Sequence, residues 1–147
     1  MTVSKNGLNS KMLQTTPPGG CLTDDQFLTA MASVPPPDRR TLLPACGSKG
    51  LHRDQHTNEQ VWTGATLHDL AQGLPALGVD HYVIDETGIN DRFNFTLKVS
   101  LEDDPTFPPR DPGWIRREVD KMGLKLTRTK APAEYLQIDH AEKPRLQ

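Results

Sequence analysis

Two cysteines and two histidines in the first half of the chain are the residues best able to do chemistry. Cys46 stands six residues before His52, His52 stands four before His56 in "HRDQH", and Cys21 lies further back. Two thiolates and two imidazoles would satisfy a tetrahedral zinc ion. Neither cysteine has a second one close by, however, so the C-x2-C half-site that makes such a set diagnostic is missing. The same two cysteines can pair with each other instead. Both sit in Pro/Gly-flanked loop, "PPGGCLTDD" and "LLPACGSKG", and a bond between them would close a loop of about 25 residues. An oxidising compartment favours that bond, and a reducing one leaves two thiols. Residue types and spacing leave the choice open.

The second chemical stretch is "DETGINDRFNFTLKV", residues 85–99, in which Asp85, Glu86, Asn90 and Asp91 offer oxygen ligands. A calcium loop needs ligands at short regular spacing and a closing bidentate glutamate, and this stretch has neither. Asp85, Thr87 and Gly88 read instead as a tight turn, with the aspartate bonding back to the backbone and the glycine taking a positive φ. "HRD" at 52–54 has the letters of a kinase catalytic loop, but the asparagine falls one residue early, at Asn58, and no Gly-rich phosphate loop precedes it. No G-x-S-x-G motif occurs. His68 and His81 are isolated bases, read as ordinary surface or core residues. Seven Lys or Arg between 110 and 130 face three acids and read as solvated helix and strand surface. No residue is assigned a catalytic or cofactor-binding role, and no cofactor is expected.

These residues need a frame. Thr23 is an N-cap ahead of Asp24 and Asp25, and Phe27, Leu28, Met31 and Val34 share one face, which predicts a short helix over 24–33 ended by the prolines at 35–37. Residues 38–62 show no sustained period and are expected to be surface loop. Thr66 with Asp69 forms a capping-box variant, and Leu67, Leu70, Ala71 and Leu74 make the stripe of a second helix closed near Pro75. "HYVID", 81–85, has the composition of a strand. Phe93, Phe95, Leu97 and Val99 alternate with polar residues, the period of a half-buried strand. After the loop "EDDPTFPPRDPG" at 102–113, Trp114, Ile115, Val119 and Met122 define a third helix with Gly123 just past its end. "LKLTRT" and "EYLQID" are expected to pair as a hairpin around "KAPA", followed by a solvated tail.

This order predicts an α+β domain with a small antiparallel or mixed sheet and two to three helices on one face. It divides into a loop-rich segment, 1–63, with one strand ("TVS") and one short helix, and an α+β core over 64–147. The 147 residues carry 17 basic and 19 acidic side chains, so the charge gives no footprint for nucleic acid or an anionic membrane. With 13 prolines, 11 glycines and 35% apolar residues, much of the chain must be loop. No apolar run approaches the ~18 residues of a membrane span, and the first residues hold no h-region of a secretion signal.

"VSKNG", "TPPGGCLT", "PACG", "TLHDLAQGL", "VIDETGINDRFNFTLKV" and "MGLKLTRTKAPAEYLQIDHAEKP" follow one another along the chain. In that order they resemble a large soil-associated bacterial family of unknown function, abundant in acidobacteria. Its members show D-x-TGL-x-G-x-[YF]-[DN]-F-T-L and close on a segment like "LGLKLE…KAPVEVLVIDHAEKPSEN". Here Ile89 replaces the usual leucine, Asn90–Asp91 replace a threonine-glycine type of pair, and Asn94 stands where aspartate is common. The resemblance implies export, which tips Cys21 and Cys46 toward a disulfide. It implies a sensor or interaction role, because some members are fused to penicillinase-sensor-type membrane metallopeptidases. It also implies that this chain corresponds to the C-terminal portion of the family unit, lacking an upstream helix, hairpin strand and signal. The helix and strand pattern is similar to the short N-terminal domains of secretins and TonB-dependent receptors.

The expected function is a non-enzymatic, extracytoplasmic module that binds a protein or peptide. An open sheet edge beside an unpartnered "TVS" strand is the expected contact, by strand addition or self-association. Two alternatives stand beside it. One is a zinc-binding or hydrolytic protein using Cys21, Cys46, His52 and His56, and the other is a truncated fragment without independent function.

Overall fold

The computed structural model describes residues 1–100, 111 and 113–130. Its central strand is the one the alternation marks. Phe93–Ser100 (β5) turns Phe93, Phe95, Leu97 and Val99 inward and keeps Asn94, Thr96, Lys98 and Ser100 toward the wetter face. β4, Thr57–Ala65, runs antiparallel beside it, with Gln60 opposite Leu97 and Trp62 opposite Phe95. The rings of Trp62 and Phe95 stack with centroids 5.2 Å apart.

β3, Ser48–Arg53, forms one border of this four-stranded antiparallel sheet, and β2, Gln14–Thr15, pairs with the start of β5 at the other. A second small sheet joins β1, Thr2–Val3, to β6, Leu124–Lys125, also antiparallel. The architecture is α+β.

Two helices close the apolar face. α2, Leu67–Gly73, begins at a reciprocal capping box in which Thr66 and Asp69 each accept the other's backbone N–H. It buries Leu67, Leu70 and Ala71, and a 3-10 turn over Leu74–Leu77 adds two more leucines to the same core. α3, Gly113–Lys121, buries Trp114, Ile115 and Val119, with Met122 just beyond its end. Gly123 donates to the Asp120 carbonyl and ends the helix. A further helix, α1 (Asp24–Ser33), starts at a Thr23–Gln26 capping box but buries nothing, so it stands outside the core cluster. From Gln14 to Thr57 no described side chain is buried.

Three expectations change. Residues 38–62 are largely ordered: after a 3-10 turn at Pro36–Thr41, β3 and most of β4 fall inside that range. β3 lies outside the core, so its side chains need no apolar alternation, and pairing with β4 holds it instead; β4 shows only Val61–Trp62 and Ala65 among polar neighbours. "HYVID" is not a strand: Tyr82 is 93% exposed, and main-chain bonds between Met1 and residues Ile84 and Glu86 stand where a ladder was expected. The "TVS" strand has a partner after all, in β6. "EYLQID" (134–139), most of the 102–113 loop and the tail fall outside the described residues.

Leu97 is fully buried and Leu28 is 66% exposed on α1. Leu97→Ala is expected to lose about 2–5 kcal/mol through lost burial and a residual cavity, and Leu28→Ala to stay within about 0.5 kcal/mol. Urea titration of both variants checks this.

Candidate functional site

Cys21 and Cys46 form a disulfide, with Cα atoms 5.0 Å apart. It joins the two ends of the α1 excursion, where Leu22 also makes a parallel bridge to Ala45. The Leu22 N–H donates to the Pro44 carbonyl at 2.9 Å and the Cys46 N–H to the Leu22 carbonyl at 2.7 Å. In the chain-entropy picture a closed loop of this length restrains the unfolded chain by about 3 kcal/mol.

The neck rests on an irregularity in β4. Pairing with β5 shifts register between Trp62 and Ala65, and Gly64 takes φ +60° there. A Cβ at Gly64 would overlap the Cys21 sulfur. Asn94 secures the bulge, its Oδ1 accepting from the Gly64 N–H at 2.8 Å and from the Thr16 hydroxyl at 2.9 Å. Arg92 donates to the Gly64 carbonyl at 2.8 Å. Only an acceptor oxygen is asked of position 94, and an aspartate supplies that equally well.

Zinc chemistry finds no assembled site here. Both sulfurs are bound to each other. His52 lies in β3 opposite Glu59, four strand residues beyond Ser48, which itself follows the turn at Cys46 and Gly47. His56 lies in the exposed connection at the far end of the hairpin. There Asp54 organises the turn, accepting from the His56 and Thr57 backbone N–H groups and from the Thr57 hydroxyl. Those bonds, the His56 N–H first, hold its carboxyl below the usual aspartate range. His68 and His81 are exposed, the latter beside Asp80. Among the described residues, no three of His, Cys, Asp and Glu come together as a metal site.

The acidic stretch at 85–91 is a corner of the scaffold. Asp85 Oδ1 accepts from both the Thr87 N–H and the Thr87 hydroxyl, and Gly88 has φ +69°. Ile89 then packs against the core and leads into β5. Among the basic residues beyond 110, Arg117 pairs with Asp111 at 2.7 Å and Lys121 with Glu118 at 2.6 Å.

The feature missed from the sequence is β3. Among the described residues it is hydrogen-bonded to β4 along one side and is the last strand of its sheet. Residues Lys49–Arg53 are all exposed. The Asp54 N–H donates to the Thr57 carbonyl across the hairpin; by the antiparallel alternation, the main-chain groups of Lys49 and Leu51 therefore turn away from β4. Their side chains lie on the helix-bearing face: Lys49 stands opposite Trp62 with its ammonium 4.1 Å from the ring centroid. Leu51 stays 65% exposed. A two-residue β-branched or aromatic cluster, Val61–Trp62, was the available signal for this hairpin.

These features define a small disulfide-bonded α+β domain with an exposed edge strand. The chain belongs to the family described as protein of unknown function (DUF3738), whose model matches residues 1–141. No curated protein matches the chain. No solved structure matches it either.

Asn94→Asp is expected to keep wild-type stability, since a carboxylate accepts the same two bonds. Asn94→Leu is expected to lose about 2–3 kcal/mol by leaving the Gly64 N–H and Thr16 hydroxyl without an acceptor. Thermal melts of the two variants decide it.

Proposed function

We propose that this domain is a non-catalytic interaction module that takes an extended segment of a partner protein onto the β3 edge. The observation that carries the reading is the exposed strand Ser48–Arg53, bonded along one side only among the described residues. An outer row of main-chain donors and acceptors is a template for an added strand, with the backbone giving affinity and alternate side chains giving selectivity. Leu51 adds an apolar contact for such a strand.

Charge selects among partners. β3 carries Lys49, His52 and Arg53 and no acid. An antiparallel twofold pairing of two copies centred on Leu51 sets Lys49 against Arg53, and like charges directly opposite are destabilising. An acidic partner strand meets complementary charge instead. Of the two forms of contact expected from an open edge, hetero-association is therefore the favoured one. The disulfide supports an oxidising, extracytoplasmic setting, in keeping with the exported relatives the chain resembles.

The test uses fluorescence anisotropy with a short peptide alternating valine and glutamate and with its lysine counterpart. The acidic peptide is expected to bind at least about tenfold more tightly, and less so at high salt as screening grows. Leu51→Pro removes an outward N–H while leaving the β3–β4 ladder in place, and is expected to abolish binding in a folded protein. Equal binding of both peptides, or full binding by Leu51→Pro, defeats the proposal.

A further inference from the structure

We infer that the segment between Cys21 and Cys46 is a redox-released arm, held to the body by its neck and able to open while the core stays folded. The arm contains α1 and the 3-10 turn, yet none of its described side chains is buried. Phe27, Met31 and Leu42 are only half-covered and do not pack against the core cluster. Its side-chain hydrogen bonds stay short in sequence: Thr23 with Gln26, Ser33 to the Thr29 carbonyl, Arg39 to the Val34 carbonyl, Thr41 to the Asp38 carbonyl. Among the described residues, the bonds that close it are the disulfide and the two main-chain bonds of Leu22. Outside the neck, Thr16 and Gly47 bond to Arg92, Asn94, Thr63 and Gly64 of the body and keep their places without it.

Reduction by a dithiol breaks the Cys21–Cys46 bond. Two electrons and two protons pass to the sulfurs, two thiols form, and the reductant leaves as its own disulfide. The ten residues of α1 are then too few to hold a helix unaided, because isolated helices shorter than about 12–15 residues are marginal in water.

Hydrogen exchange read by mass spectrometry, with no peptide present, compares the oxidised protein with the same protein reduced by dithiothreitol. Amides of residues 22–46 are expected to exchange at least about tenfold faster on reduction, while those of β4, β5, α2 and α3 keep their protection. The double variant Cys21→Ser/Cys46→Ser is expected to show the same pattern without reductant. An arm that stays protected when reduced overturns the inference. So does loss of protection spread evenly over β4 and β5, or a double variant that does not fold.

Discussion

The absence of a side chain at position 64 is the constraint from which the rest follows. β4 must shift register by one step between Trp62 and Ala65 so that Trp62 stacks on Phe95 while Ala65 still meets Phe93. That step needs a backbone conformation with positive φ, which glycine adopts at little cost. The vacated space is filled by the Cys21 sulfur. One residue thus sets the register of the two central strands, seats the disulfide, and gives Asn94 and Arg92 something to hold. A bulge is ordinarily a place where pairing is spoiled. Here its freed N–H and C=O are taken up by the side chains of Asn94 in β5 and Arg92 just before it, so the local loss of ladder bonds is largely offset.

The body was legible where a face had to be buried. β5, α2 and α3 each carry a stripe with the period of their element, because each turns one side to a shared core, and the Thr66–Asp69 capping box stands where the α2 stripe begins. The β3–β4 hairpin was not legible over most of its length. β3 lies outside the core, so water accepts any polar residue on either face and the two-residue period disappears from the sequence. Its register is fixed by β4 and by the Asp54 turn, neither of which is an apolar signal. "HYVID" failed for the opposite reason: β-branched and aromatic residues favour a strand, but a strand also needs a partner, and composition does not report one.

Of the chemical residues, the pairing of Cys21 with Cys46 came from family resemblance and not from spacing. Sequence separation says little about which loops meet, and the meeting point depends on the Gly64 bulge some twenty residues away. The signature around Asp85 proved more informative than its acidity suggested. Its aspartate, threonine and glycine serve one turn, and the apolar residue after them anchors the entry to β5. An acidic motif can mark the geometry of a corner as readily as a reactive centre. Asn94 makes the same point, since both of its bonds ask only for an oxygen that accepts.

The side-by-side ends of the α1 excursion have a consequence for how such a chain can vary. With Cα atoms 5.0 Å apart at the neck, the body senses only where the excursion leaves and returns, and not its length or content. Lineages are free to shorten it, exchange its helix, or graft a whole foreign module there without moving a core residue. The neck is a socket, and what is plugged into it can diverge at its own pace.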